Sequence, residues 1–564
     1  MSATRGLLQR RPNLTGRIAL TALIALSTAC CGKPTAPDRP ANQPPKPANE
    51  ASKPATAPRT GKSLFQLPHV TLVAVTDWQA KLKPCGCTLD LQRGGVERLA
   101  YWLGQTRAQD DSVLVVHAGS LIQDDEPHNS PATQAQFALR LDAFAKALGQ
   151  MQVSAVALSR WDLAAGGEAA IKAYAALQAS LRAPILALTA VPGLQVQKTH
   201  LQRSNSGVQV GLVAVDPLDA ADDAARASLV SAQVAELRQQ GAQVVVALAN
   251  TGLRGARKLA RQVKGLDVIV VGQLDAKTDP SLDLEREGEV LLVHATRHGA
   301  WAAALTLVPD GGGTWSEASQ HLPGEAEALQ TRLDAAQKHL RDLKARGSLS
   351  VERAMPLYQA QINDLQQRIA AAKAARLQPL PAGRLAAYRV VGLDWSAPTD
   401  PQLAALVAAY DAEVSKVAEK LASQPLEAKP GQASYIGQAE CLSCHEDASG
   451  FAKANPHAAA WKTLQDVAKT KDLDCVACHT TGWAQPGGSA FANVEKFKDV
   501  QCEACHGPGS LHAADPEKPD LLAKADAKAC GQCHTQQHSP RFAYEPYARQ
   551  LIVPGHGQPL AKKP

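Results

Sequence analysis

Four pentapeptides carry the clearest chemistry in this chain: Cys441-Leu-Ser-Cys444-His445, Cys475-Val-Ala-Cys478-His479, Cys502-Glu-Ala-Cys505-His506 and Cys530-Gly-Gln-Cys533-His534. Each sets two thiols on successive faces of a tight turn and places an imidazole directly after the second. Thiols at that spacing can form thioethers with the vinyl groups of one haem, and the adjacent imidazole then reaches the iron. The same eight cysteines could instead make two four-thiolate zinc sites. Zinc gives no reason for a histidine after every second cysteine. Four covalently bound c-type haems do, and they are the expected cofactors.

The segment between Tyr435 and His556 holds four further histidines, His457, His512, His538 and His556, as many as there are attachment patterns. A second imidazole on each iron would give low-spin, six-coordinate haems of rather low potential. The metal ligands expected from the sequence are therefore His445, His479, His506 and His534 on one side, and His457, His512, His538 and His556 on the other. Of twelve cysteines, the remaining four are Cys30, Cys31, Cys85 and Cys87, which leaves none for a disulfide framework. Cys85-Gly-Cys87 can close into a small strained disulfide that pins its loop, act as a redox pair, or bind a soft metal.

The sequence around the four patterns resembles the multihaem cytochrome c-552/c-554 family. The resemblance lies in Tyr435-Ile-Gly-Gln-Ala-Glu-Cys441, in Asp474-Cys-Val-Ala-Cys-His-Thr-Thr-Gly482 and in Val500-Gln-Cys-Glu-Ala-Cys-His-Gly-Pro-Gly-Ser-Leu-His512. It implies electron transfer, with His457 and His512 as axial ligands. It also implies that one haem can be five-coordinate, and an open iron would permit reduction of a small substrate.

The elements that must position these groups follow from patterning. Arg5, Arg10, Arg11 and Arg17 precede an apolar run, Ile18 to Leu26, and Ser27-Thr28-Ala29 leads into Cys30. This resembles a bacterial lipoprotein signal over residues 1–30 with Cys30 as the lipidated residue, although an ordinary signal peptide or a retained anchor fits the same charges. Residues 31–67 are rich in proline, alanine and lysine and read as a solvated tether. From 68 to 315, short aliphatic runs at 70–75, 112–117, 153–158, 185–188, 208–215, 244–249, 268–271 and 290–294 alternate with helical patterns. Buried strands with amphipathic helices between them predict a layered α/β domain. Within 316–430, residues 325–345 and 351–377 predict a helical hairpin, with Leu329, Leu333, Leu340 and Leu343 facing Leu357, Ile362, Leu365 and Ile369. The hairpin is a candidate for a spacer or a dimerisation arm. A short strand at 390–395 and a helix at 402–421 lead to a mainly helical and irregular tetrahaem module, 431–564.

Over residues 69–310 the order of motifs resembles the 5'-nucleotidase family of calcineurin-like metallophosphoesterases. It rests on Thr71-Leu-Val-Ala-Val-Thr-Asp77, Gly94-Gly95-Val-Glu-Arg98, Leu114-Val-Val-His-Ala-Gly119 and Leu266-Asp-Val-Ile-Val-Val-Gly272. The family's metal ligands fall on Asp77-Trp78-Gln79, Gly119-Ser120, Ser159-Arg160-Trp161-Asp162, Asn250 or Thr251, and Gly272-Gln273-Leu274-Asp275. Asp77 alone cannot hold two metals, so a degenerate scaffold is expected, with His117, His294 and His298 structural. Cys-Gly-Cys before Gly-Gly-x-x-Arg resembles a subgroup of nucleotidase-like proteins that accompany cytochromes.

A net charge of +6 over 564 residues is too small to point to nucleic acid. The expectation is an exported protein, lipid-anchored in the periplasm or at the outer membrane, that carries electrons between redox proteins. A haem-dependent reductase or a residual phosphoesterase is the alternative.

Overall fold

The computed structural model describes residues 62–84, 92–123, 128, 130–274, 281–346, 349–394, 396–517, 521, 525–535, 538–539 and 542–551. In chain order the first part comprises β1 (Val70–Thr76), α1 (Val96–Gln109), β2 (Val113–Ala118), α2 (Pro131–Gln150), β3 (Val153–Ala157), α3 (Arg160–Ser180), β4 (Ile185–Leu186), β5 (Thr199–Arg203), β6 (Gln209–Val215), α4 (Asp223–Gln239), β7 (Val244–Ala249), α5 (Gly252–Gln262), β8 (Val268–Val271), β9 (Glu285–Glu287), β10 (Val290–Val293), β11 (Trp301–Val308) and β12 (Ser316–Glu317). The helical hairpin α6 (Glu325–Arg346) and α7 (Leu349–Ala375), strand β13 (Leu385–Gly392) and helix α8 (Pro401–Leu421) follow.

The strands form two sheets, one in the order β12-β13-β11-β1-β2-β3-β4 and one in the order β5-β6-β7-β8-β10-β9. Alternation along each strand explains how they stack. Val70, Leu72 and Ala74 of β1 join Val210 and Leu212 of β6 and Val244, Val246 and Leu248 of β7 in one core between the sheets. The intervening Val73 and Val75 point to the other face, against Leu99, Phe144, Tyr174 and Tyr410 of α1, α2, α3 and α8. Val245 and Ala247 face Val230, Val234 and Leu259 of α4 and α5. Strands buried on both faces have no polar alternation, which is why they read as continuous aliphatic runs. The result is four layers, helix, sheet, sheet, helix.

Each predicted strand from 70 to 294 is present, while β5, β9 and β11 were not anticipated. β11 is the important one, because it pairs antiparallel with both β1 and β13. The strand expected at 390–395 runs over Leu385–Gly392 and lies in the first sheet. The edge of that sheet therefore does not coincide with residue 315. Residues 316–317 and 385–392 belong to it, and α6 and α7 form an insertion between them. The hairpin's apolar stripes pack on each other through Leu329, Leu333, Leu340, Ile362, Leu365 and Ile369. The side chains of Leu343 and Leu357 lie outside the described residues.

Beyond α8 the chain becomes short helices joined by loops: α9 (Gln438–Leu442), α10 (Ser449–Ala454), α11 (Ala460–Gln465), α12 (Leu473–His479), α13 (Val494–Phe497), α14 (Cys502–His506), α15 (Ser510–Ala514), α16 (Ala527–Gly531) and α17 (Tyr544–Leu551). No helix among the described residues is long and apolar enough to cross a membrane.

One buried ion pair ties the start of β1 to the loop before β2. His69 Nε2 lies 2.9 Å from Asp110 Oδ1, and its Nδ1 faces the Leu67 carbonyl at 2.7 Å. Burial alone would lower the imidazole pKa, but Asp110 and the Leu67 carbonyl raise it above 6.5. Burial would likewise raise Asp110, but His69 and Thr71 lower it below 3.8. A raised imidazole pKa means that the folded state keeps a proton which the unfolded chain loses. Its stabilisation is full below 6.5 and is lost as pH rises through the folded value. The carboxylate's share is present above 3.8 and is lost as pH falls through its folded value. Thermal midpoints measured across pH should thus decline on the alkaline side of neutrality, and His69→Gln should flatten that limb.

Candidate functional site

The four Cys-x-x-Cys-His segments lie on short helices: the first and fourth at the ends of α9 and α16, the second within α12 and the third along α14. In the first, the N–H of His445 donates to the Cys441 carbonyl at 2.9 Å; in the fourth, His534 does the same to Cys530 at 2.9 Å. One turn is enough to bring both thiols and the imidazole to one side. Asp472 caps α12 and Asp526 caps α16 by accepting from Asp474 N and Ala529 N. All eight cysteines lie outside disulfides and are at least partly exposed.

The imidazoles meet across space in pairs. The rings of His445 and His512 have centroids 6.3 Å apart and planes 22° from parallel. Those of His457 and His534 are 6.0 Å apart at 51°. An imidazole nitrogen sits about 2 Å from a bound metal, and adding the ring radius on each side puts two trans imidazoles at about 6 Å between centroids. Both pairs fit one iron between them. His538 lies close enough to His479 for its charge to lower that imidazole's pKa. His512 and His457 thus approach His445 and His534 from other segments of the chain. His556 lies outside the described residues.

The nitrogen that does not face its partner is also committed in two of the proximal histidines. Nδ1 of His479 hydrogen-bonds the Ala460 carbonyl at 2.6 Å, and Nδ1 of His534 lies 2.9 Å from Ser539 Oγ. Fixing one nitrogen in this way sets the ring orientation and would leave Nε2 to hold an iron. Burial lowers the pKa values of His457, His479 and His534, which keeps them neutral and able to bind iron at neutral pH.

The attachment thiols lie side by side between segments. Cys441 and Cys502 share a hydrogen bond, which raises the first and lowers the second to about 7. Cys478 and Cys533 share another. Burial, with Cys530, Cys502 and Cys533 nearby, pushes Cys505 up to about 11. Adjacent attachment points require adjacent porphyrins. Among the described residues no three His, Cys, Asp or Glu side chains converge to hold a metal ion.

Glu503, inside the third pattern, carries the scaffold. Its buried carboxylate accepts from Ile436 N at 2.9 Å, Gly437 N at 2.7 Å and Gly509 N at 2.7 Å. It joins the Tyr435-Ile-Gly segment to the Gly-Pro-Gly-Ser turn, which delivers His512. The residue escaped notice in the sequence because it sits between two attachment cysteines.

In the α/β layers, the five positions aligned with phosphoesterase ligands do converge at the strand ends. Asp77, at the end of β1 with φ of 46°, accepts from the backbone N–H groups of Ser120 at 2.9 Å, Gln273 at 3.0 Å and Leu274 at 3.0 Å. Burial pushes its carboxyl up to about 6 against those three donors and Arg297. Asp162 accepts from Leu121 N, Ile122 N and the Tyr174 hydroxyl, at 2.9, 3.1 and 2.8 Å. Asn250 accepts from Gly119 N at 2.6 Å and donates to the Leu158 carbonyl at 2.9 Å. Gln79 accepts from Arg297 and lies 2.6 Å from His298 Nε2. Backbone and side-chain donors fill the ligand positions. His117 is buried beside Trp78, and burial lowers its pKa to about 3. His294 lies 3.2 Å from Glu285. Asp275, Cys30, Cys85 and Cys87 lie outside the described residues.

Residues 440–507 match the family model described as cytochrome c554 and c-prime. No curated protein matches the chain in sequence. Several solved structures are similar. The 5'-nucleotidase precursor of Thermus thermophilus is 17% identical over 71% of this chain and 68% of its own, with a TM-score of 0.38. The Thermus thermophilus sulfate thiohydrolase SoxB is 14% identical over 64% and 62%, at 0.39. The NAD nucleotidase of Haemophilus influenzae is 16% identical over 42%, at 0.34, and the chain spans 52% of its length. A segment that matches a cytochrome c554 family model thus follows an α/β region whose similar solved structures include two nucleotidases and a sulfate thiohydrolase.

Asp77 should behave as a backbone anchor. Asp77→Ala leaves three N–H groups without acceptors and is expected to destabilise the α/β layers by about 1–3 kcal/mol per unmet donor at most. Denaturant melts of parent and variant check this, and added manganese or zinc should shift neither.

Proposed function

We propose that the chain is an exported tetrahaem c-type cytochrome that passes electrons between redox proteins. The observation that carries the reading is the imidazole spacing, 6.3 Å for His445 and His512 and 6.0 Å for His457 and His534. When bound, each haem supplies a one-electron carrier whose potential is set by its axial ligands and surroundings. The chain's own part is to hold two neutral imidazoles at that separation, to fix their free nitrogens on Ala460 and Ser539, and to set the attachment thiols close together. His538 is the candidate second ligand for the haem of His479, and His556 is the remaining candidate.

Cys30 is proposed as the lipidated residue, with residues 31–67 as the tether to a membrane surface. Cys85 and Cys87 are kept as a candidate redox pair. Reduction of a small substrate is the second reading, and it requires an iron that an external ligand can reach.

Haem content and spectra of protein matured with the haem-attachment machinery test the proposal. Four haems per chain with low-spin spectra are expected, and His512→Ala and His457→Ala should each convert one haem to a high-spin, carbon-monoxide-binding form. Protein that is exported without covalent haem, or that keeps wholly low-spin spectra in both variants, would reject it. Carbon monoxide binding by the parent protein would favour the reductase.

A further inference from the structure

The cytochrome segment does not stand apart from the α/β layers. Trp461 and Leu464 of α11 and Leu473 and Val476 of α12 form an apolar cluster that Ala132 of α2 and Ala418 of α8 complete. A charged seal surrounds it. Lys83 Nζ lies 2.7 Å from Asp411, 2.8 Å from Asp472 and 5.6 Å from the centre of the Tyr410 ring. Gln136 of α2 donates to Asp472 at 2.9 Å and accepts from Leu473 N at 2.9 Å. Arg140, one turn further along α2, pairs with Asp474 at 2.6 Å.

Asp472 is the hinge of this contact. Its side chain caps α12, and its carbonyl accepts from Cys475 N at 3.0 Å and Val476 N at 3.1 Å. The helix that presents Cys475, Cys478 and His479 thus starts on a residue whose carboxylate is held by the other domain. Burial by itself would raise this carboxyl, but Lys83 holds it well below the ordinary carboxylate range. The same pairing keeps Lys83 charged despite its own burial. A buried ion pair of this kind adds little net stability, but losing one partner leaves an uncompensated charge. Near a haem such a charge acts on the iron's potential.

We propose that Lys83 is a positioning and potential-setting residue for the haem attached at Cys475 and Cys478, acting through Asp472, so that the α/β domain is a fixed wall of that haem. The inference rests on the tetrahaem reading above. Lys83, Asp472 and Asp411 together carry one negative charge. Lys83→Gln makes it two, which favours ferric iron and lowers the potential. Asp472→Asn leaves Lys83 paired with Asp411, brings the sum to zero and raises the potential. The double variant restores the parent sum.

Reductive titration of the full, haem-loaded chain resolved into its components decides the matter. One component is expected to move in opposite directions in the two single variants, by on the order of tenfold in its ferric-to-ferrous ratio at fixed potential, or about 59 mV for one electron. It should return toward the parent in the double variant, while the other three stay in place. The moving component is identified by the spectral change that His479→Met imposes on it. Shifts of the same sign in both single variants, no recovery in the double variant, or movement of a different haem would overturn the inference. Parent-like potentials throughout would do the same. Protein without covalent haem fails the tetrahaem reading instead, before this comparison begins.

Discussion

The cytochrome segment is constrained by a shortage of apolar side chains. Among the described residues after 431, the buried apolar ones are Ala452, Trp461, Leu464, Leu473, Val476, Ala490, Phe497 and Ala525, and half of these turn toward α2 and α8. So few groups cannot offset the conformational entropy of ordering that much backbone. Under the proposed reading, porphyrin faces and iron–imidazole bonds provide the missing cohesion. This explains why chemistry-bearing residues crowd the segment: they are also its core. The hydrogen bonds that remain are strategic. Glu503 gathers two loops with one carboxylate, and Asp472 fixes the start of a helix that a neighbouring domain also holds.

Much of this was legible in the sequence, for physical reasons that differ by region. Strands with both faces buried announce themselves as aliphatic runs, so β1, β2, β7 and β8 were readable to within a residue or two. β11 was not, because Ala302, Ala303 and Ala304 carry no β-branched signal and follow a glycine-bearing turn. Its place is settled by pairing with β1 and β13, a contact between residues hundreds of positions apart in one case. β13 shows the same limit, since local pattern could place a strand near Val390 but not the sheet that it joins. In the site, the attachment segments were explicit and the pairing of imidazoles was not. The family resemblance marks His512 and His457 as candidates, but only the fold puts His512 opposite His445 and His457 opposite His534.

The α/β region holds its converging strand ends together with hydrogen bonds from buried side chains. Gly119 and Gly272 still let two strand ends approach so closely that a Cβ on Gly272 would collide with the backbone of Gly119. Asp77 still sits where the loops converge. What has changed is the identity of its partners, which are backbone N–H groups rather than anything that could share a metal. A carboxylate satisfied by three amides has little capacity left for a cation. Asp162 and Asn250 are held in the same way, the first by Leu121 N and the second by Gly119 N.

These two regions meet at Lys83, and the meeting changes what each can be. A degenerate scaffold beside a cytochrome invites the picture of two independent modules on one chain. Lys83 immediately follows the loop anchored by Asp77, Trp78 and Gln79, while Asp472 immediately precedes the helix that carries Cys475. The frame at the end of β1 holds a lysine against the helix that carries Cys475. Trp78, packed edge-on against Phe144 at 5.1 Å, and the saturated Asp77 fix that loop whether or not a metal is present, and α2 contributes Phe144, Gln136 and Arg140 to both sides of the boundary. A single helix therefore transmits the order of the α/β core to the segment that carries the Cys-x-x-Cys-His patterns.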